Sequence, residues 1–199
     1  MSQAMKIGIM GARGSFSEEA ARVYAMKEGI QKPEIAYLIT AEKVLAALEA
    51  GEIDLAIFPI ENSNGGIVIE AVYAMAKHNF DIKKIFEIDV HHTLLAKPGI
   101  NPGEITKITS HDQALKQCRM YLTRRWPGVE IEAYMDTAKA AEDLSNGTLP
   151  ETTAVIAARP AAELYGLEIL EESIQDLKFN YTSFIAGERT AEKASKKRG

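Results

Sequence analysis

The sequence predicts an α/β protein with mostly parallel sheets. Two observations carry this: short apolar runs of strand length alternate with amphipathic segments, and hydroxyl, amide or glycine residues stand at nearly every junction between them. At 199 residues the chain has room for one large domain or for two small lobes sharing a cleft.

Met5 to Met10 is an apolar run that ends in Gly11-Ala12-Arg13-Gly14, followed by Ser15-Phe16-Ser17-Glu18. It reads as strand, tight turn and helix start, with Ser15 and Glu18 at capping-box spacing. Ile35 to Ile39 is a second strand; Thr40 caps the helix that carries Val44, Leu45 and Leu48, and Gly51 stops it. Leu55 to Ile60 is almost wholly apolar, as a parallel strand buried on both faces requires. The polar loop Glu61 to Gly66 leads into a helix over about 67–78.

Val90 to Ala96 reads as the next strand, closed by Pro98-Gly99. Ile105 to Thr109 is a strand feeding Ser110-His111-Asp112-Gln113, where Ser110 and Gln113 repeat the capping-box spacing. One helix follows, through Leu115, Cys118 and Leu122, to Trp126-Pro127-Gly128. Ile131 to Met135 is a strand, and Asp136 caps the helix of Ala138, Ala140, Ala141 and Leu144, which ends at Asn146-Gly147. Thr153 to Ala157 is a small-residue strand, followed by a short helix through Ala161, Ala162 and Leu164. Ile169 to Ile174 and Tyr181 to Ala186 are extended, and the charged residues after Gly187 read as a frayed tail.

Composition narrows the function classes. The net charge of -5 argues against a nucleic-acid partner. No run has the length of a membrane span, and the N-terminal residues lack a signal-peptide pattern. The single cysteine, Cys118, fits a reducing compartment, and the reading places the protein in the cytoplasm. As a residue on an apolar helix face, Cys118 reads as buried core rather than as a nucleophile. Four histidines, badly spaced, make no zinc site. The turn Gly11 to Gly14 is not a dinucleotide fingerprint, because Gly11, Arg13 and Phe16 stand where three glycines are needed; nor is it a phosphate-binding loop, because no Gly-Lys-Ser/Thr follows. No cofactor and no metal are expected.

In open α/β sheets, ligands bind beyond the carboxyl ends of the strands. Four junctions are rich in small polar residues: Gly14 to Ser17, Asn62 to Gly66, Ser110 to Gln113, and Asp136 to Ala138. Each offers free N–H groups at a helix start, and together they suit an anionic ligand. Singly, each reads as a helix cap. Glu61 is either a ligand contact or a brace for its own loop, and Thr182 and Ser183 are either plain strand residues or a proton-donating pair.

Taken in order, these segments resemble the prephenate dehydratase family over roughly 6–185. Gly11-Ala12-Arg13-Gly14-Ser15-Phe16-Ser17 is similar to the family's Gly-Pro-x-Gly-Thr-Phe-Ser, and Pro59-Ile60-Glu61-Asn62-Ser63 with Gly66 and Val68 to its Pro-Ile/Val-Glu-Asn-Ser-x-x-Gly-x-Val. His92 with Leu94 and Leu95 resembles its His-x-Leu-Leu. Ser110-His111-Asp112-Gln113-Ala114-Leu115 with Gln117-Cys118 follows Ser-His-Pro-Gln-Ala-Leu-x-Gln-Cys. Thr137-Ala138 with Ala140-Ala141, then Tyr165-Gly166-Leu167, Ile174-Gln175-Asp176, Asn180 and Thr182-Ser183-Phe184 complete the match.

The resemblance implies two lobes of the periplasmic-binding-protein type II class around a central cleft. It sets one lobe at about 1–86 plus 172–187 and the other at 87–171; the charged, aperiodic residues 188–199 are expected to form a disordered tail. It implies a homodimer and the conversion of the small molecule prephenate to phenylpyruvate, without a cofactor. Thr182 is then the proton donor, and Ser15, Phe16, Asn62, Ser63, Ser110, His111, Thr137, Ala138 and Phe184 line the substrate site. The family's phenylalanine-sensing ACT domain is expected to be absent after Gly187. Serine at 183 replaces the family's arginine, and Arg13 is the candidate to restore a cation to the cleft. Arogenate as substrate, prephenate decarboxylation alone, or a binding module without turnover are the competing readings.

Overall fold

The computed structural model describes residues 4–190. In chain order the elements are β1 (Lys6–Ile9), α1 (Phe16–Lys27), β2 (Glu34–Tyr37), α2 (Ala41–Ala50), β3 (Leu55–Asn62), β4 (Gly66–Ile67), α3 (Ile69–Met75), β5 (Asp81–Asp89), β6 (His92–Ala96), β7 (Lys107–His111), α4 (Asp112–Gln117), α5 (Arg119–Arg125), β8 (Glu130–Tyr134), α6 (Thr137–Ser145), β9 (Thr153–Ala158), α7 (Pro160–Tyr165), β10 (Glu168–Glu171) and β11 (Tyr181–Glu188).

Two sheets result, one per lobe. The first runs β2-β1-β3-β11-β5, with β4 paired to β3, and the second runs β10-β6-β9-β7-β8. Strand side chains alternate between faces, so each sheet buries both. Leu55 and Ile57 join Ile7, Ile9 and the α1 residues Ala20, Ala21 and Tyr24 on one face. Their neighbours Ala56 and Phe58 join Val44, Leu45 and Leu48 of α2 on the other. In the second sheet Ile108 and Ile156 pack with Leu115, Cys118 and Leu122, while Val155 and Ala157 pack with Ala140, Ala141 and Leu144. Burying a Leu, Ile or Phe side chain contributes about 1.5–3 kcal/mol. Alanines on α6 let that helix sit close to its sheet.

The two-lobed α/β class is as expected, but the sheets are mixed rather than mostly parallel. Four pairings are parallel and five antiparallel. The reason is the double crossing of the chain. β11 returns from the second lobe and enters the first sheet between β3 and β5, antiparallel to both. The outgoing and returning stretches bond to each other, Val90 N–H to Asn180 O at 2.7 Å and Ile174 N–H to His92 O at 3.0 Å.

Other local expectations are corrected. β5 has no counterpart in the sequence reading, and it runs to Asp89, past the expected border at 86. It is a sheet edge whose side chains are mostly exposed, so it lacks an apolar run; Lys83 and Lys84 in its middle guard that edge against pairing with another chain. The single helix expected after Gln113 is two, broken at Cys118 (φ -112°, ψ 12°). There the Asp176 carboxylate accepts from Met120 N–H at 2.8 Å and Tyr121 N–H at 2.9 Å, so the second helix is capped by the returning crossover. The tail begins later than expected. Glu188 ends β11 opposite Asp81 and pairs with Lys83 at 3.0 Å; residues 191–199 of the predicted disordered tail lie outside the described residues.

Candidate active site

All four polar junctions open on one cavity of about 440 Å³ between the lobes. From the first lobe come Gly11, Ser15, Phe16 and Ser17, then Asn62, Gly65 and Gly66. From the second come His111 and Gln113, then Asp136 and Thr137, while Thr182 and Phe184 project from β11.

Each junction is shaped locally. At the first, Gly11 has φ 156° and a Cβ there would stand 2.5 Å from Ser15 Oγ, so the turn excludes a side chain. Ser15 caps α1, its hydroxyl accepting from Glu18 N–H at 3.4 Å. Glu18 in turn accepts from Gly14 N–H at 2.7 Å and pairs with Arg22 at 2.6 Å. Burial raises the Glu18 pKa, but the Gly14 N–H and the Arg22 guanidinium outweigh it and hold the carboxyl below its ordinary range. At α6 the Asp136 carboxylate accepts from Lys139 N–H at 2.9 Å. At α4 the cap is His111, whose Nδ1 accepts from Gln113 N–H at 3.3 Å, and not Ser110.

The centre of the cleft is an amide network across both lobes. Asn62 Oδ1 accepts from Gly65 N–H at 2.7 Å, Asn64 N–H at 3.0 Å and Gln117 Nε2 at 3.0 Å. Two backbone donors therefore fix which end of the Asn62 amide is oxygen. Its Nδ2 then donates to Asn180 Oδ1 at 2.9 Å and to Thr182 Oγ1 at 2.8 Å. Because Thr182 Oγ1 accepts this bond, its own O–H is left to donate elsewhere. Gln117 Oε1 accepts from Asn180 Nδ2 at 2.9 Å and lies 2.7 Å from His92 Nε2, so His92 carries its proton on Nε2. Burial lowers the pKa of His92, which packs edge-on to Phe16 with centroids 5.4 Å apart. The cleft-lining carboxylates are Glu70 and Asp136, and no lysine or arginine lines it among the described residues.

Of the expected site residues, Ser15, Phe16, Asn62, His111, Thr137, Thr182 and Phe184 line this cavity. Four others do not. Ser63 Oγ accepts from Tyr181 N–H at 3.0 Å and ties the β3–β4 turn to β11. Ser110 is fully buried and donates to Ile156 O at 2.6 Å, bracing β7 against β9. Ala138 is fully buried on the inner face of α6. Arg13 lies in a separate groove between α1 and α7 with Glu18, Glu19 and Glu163. Gly14, at φ 81°, turns the chain there, and Tyr165 O–H bonds the Arg13 carbonyl at 2.9 Å. The compensation assigned to Arg13 therefore fails on position.

Ser183 also faces away from Thr182. Strand register sets it beside Glu61 and Glu87, and its hydroxyl donates to Glu87 at 3.1 Å. Sequence reasoning missed Gln113 and Gln117, although both stand in a quoted motif; their position one helical turn apart on α4 was the available signal.

Residues 7–191 match the family model described as prephenate dehydratase. The chain belongs to the prephenate dehydratase family. It is 38% identical over 182 residues to arogenate dehydratase 1 of Petunia hybrida, covering 91% of this chain and 41% of that protein. It is 33% identical over 185 residues to the bifunctional chorismate mutase/prephenate dehydratase of Stutzerimonas stutzeri, covering 93% and 49%. The chain thus spans less than half the length of these relatives. Among solved structures, the prephenate dehydratase of Arthrobacter aurescens in complex with L-Phe superimposes with a TM-score of 0.85 at 28% identity, over 94% of this chain and 61% of that one. GqqA, described as a quorum quenching acylase, gives 0.80 at 28%, over 94% and 64%.

Proposed function

We propose that the chain is a carbon–oxygen lyase that converts prephenate to phenylpyruvate, with Thr182 as the proton donor. The observation that carries this reading is the bond from Asn62 Nδ2 to Thr182 Oγ1 at 2.8 Å, which leaves the threonine proton free to face the cleft. In the reaction, the ring C–O bond breaks as the departing hydroxyl takes the Thr182 proton and leaves as water. The C–C bond to the ring carboxylate breaks in concert; its electron pair enters the ring, and carbon dioxide departs. Aromatisation drives the step. With no lysine or arginine lining the cleft among the described residues, carboxylates rest on the N-terminal N–H groups of α1 and α6 and on neutral donors such as Gln113 and Thr137. The leaving carboxylate is thereby held loosely, and this favours its loss.

Arogenate is the second reading. It differs by an ammonium where prephenate has a keto oxygen, and the Glu70 and Asp136 carboxylates on the cleft wall favour that charge. The reading places the enzyme in the cytoplasm, where a reducing environment suits the buried thiol of Cys118. It also includes a homodimer, for which the exposed Ile69, Val72 and Tyr73 of α3 offer an apolar face.

Purified protein is incubated with prephenate or arogenate, and phenylpyruvate or phenylalanine is followed. Turnover that falls about 10²–10⁴-fold in Thr182→Ala supports the reading. Ligand binding without product from either compound would instead make the chain a sensor.

A further inference from the structure

Residues 90 and 92 line the cleft, whereas 91 and 93 line a second, separate cavity of about 210 Å³, together with Glu19, Arg159, Glu172 and Ser173. This is the two-residue alternation of extended backbone, which sends successive side chains to opposite sides. At the edge of this second cavity the two crossovers bring an acid, an imidazole and a hydroxyl side by side. His91 Nε2 stands 3.3 Å from Asp89 Oδ2, and His91 Nδ1 stands 3.2 Å from Ser173 Oγ.

The proton positions follow from the neighbours. Gln175 Oε1 accepts from His92 N–H at 3.1 Å, which turns Gln175 Nε2 toward His91 Nδ1 at 3.2 Å. Nδ1 is therefore an acceptor, shared by Gln175 and Ser173, and the His91 proton sits on Nε2, on the side where Asp89 Oδ2 stands 3.3 Å away without a hydrogen bond to it. That is the tautomer in which an imidazole can take a proton from Ser173. Asp89 is partly withdrawn from water, since its Oδ1 is buried and has no hydrogen-bond partner among the described residues. Ser173 is exposed and held at φ 55°, in the left-handed region that non-glycine residues rarely occupy. Strain of this kind collects at functional positions.

We infer that Asp89, His91 and Ser173 form a nucleophilic acyl-transfer site, distinct from the cleft, that hydrolyses short-chain carboxylic esters. The cavity admits only a small acyl group. Glu19 and Glu172 beside it disfavour anions, so the substrates are uncharged or cationic. Ser173 Oγ adds to the acyl carbon while its proton passes to His91 Nδ1. The ester C–O bond breaks, and the leaving alcohol takes that proton. Water then adds to the acyl-serine, gives its proton to His91, and releases the carboxylic acid as Ser173 is restored. Arg159, whose Nε bonds Glu172 at 2.8 Å, lines the same cavity.

The test uses the full chain with p-nitrophenyl acetate, following p-nitrophenolate release and mapping acetylated peptides after an acid quench. Ser173→Gly removes the hydroxyl while suiting the left-handed backbone, so folding is preserved; thermal melts check this and His91→Gln. The expected result is acetyl on Ser173, with hydrolysis lowered about 10²-fold or more in both variants. Acetyl found elsewhere, a Ser173→Gly rate equal to the parent, or no hydrolysis beyond that of free imidazole overturns the proposal. None of these readings depends on prephenate turnover.

Discussion

Asn62 and Thr182 are 120 positions apart in the chain, yet Asn62 Nδ2 lies 2.8 Å from Thr182 Oγ1, on adjacent antiparallel strands in direct register. The direction of that bond decides what the threonine can do. As long as Asn62 donates, the Thr182 O–H is left free to donate to another acceptor.

Asn62→Asp reverses this. The carboxylate accepts from Thr182 O–H and removes the proton from the cleft at almost unchanged shape. We expect kcat to fall about 10²-fold with KM changed far less, measured by steady-state turnover of prephenate. A KM effect alone would mean that Asn62 binds the substrate and does not orient the donor.

Ser110→Ala separates a brace from a ligand contact. The Ser110 hydroxyl is fully buried and donates to Ile156 O at 2.6 Å. Its loss leaves a buried carbonyl short of a donor, at a cost of about 1–3 kcal/mol in urea unfolding. KM for the substrate is expected to stay at the parent value.

Ser183→Arg restores the residue usual in the family signature. The side chain there lies on the face away from Thr182, beside Glu61 and Glu87. We expect a gain of about 0.2–1 kcal/mol from exposed ion pairing and no increase in kcat. A large rise in kcat would place this position in the catalytic machinery.

His78 fastens the end of α3 to α2, its Nδ1 2.6 Å from Glu49 and its Nε2 3.2 Å from Glu42. The bond to Glu49 is the largest effect and raises its pKa; burial opposes it, and Glu42 adds to the rise, leaving the pKa above the ordinary 6.5. The folded state thus binds the proton more tightly than the unfolded chain. The stabilisation is full below pH 6.5, as long as the carboxylates stay ionised, and is lost as pH rises through the folded value. His78→Gln should lower the melting temperature by a few degrees at pH 6, with the difference shrinking toward pH 9. A constant difference would show that charge plays no part.

Much of this molecule was legible residue by residue. Ser15, Thr40 and Asp136 cap the helices they precede, and Gly51 ends α2 at φ 73°, because capping needs only a short polar side chain or a missing Cβ within one turn. Runs such as Leu55 to Ile60 identify themselves as strands since both their faces are buried. The edge strand β5 was hidden for the opposite reason: its identity comes from pairing with β11, and its side chains carry little apolar signal.

By itself the sequence determined most of the strands and helices, though not the edge strand β5 or the break at Cys118, and that four polar junctions follow strand ends. These are consequences of local conformational preference and of hydrophobic period. The tertiary structure alone decided which hydroxyls face the cleft. Ser110 and Thr182 look alike in the chain, each a small hydroxyl residue at the polar end of a strand segment. Ser110 is turned to Ile156 and Thr182 to Asn62, because a side chain's hydrogen-bond partner is set by whichever strand lies alongside. Pairing between residues this far apart is fixed only when the whole sheet forms.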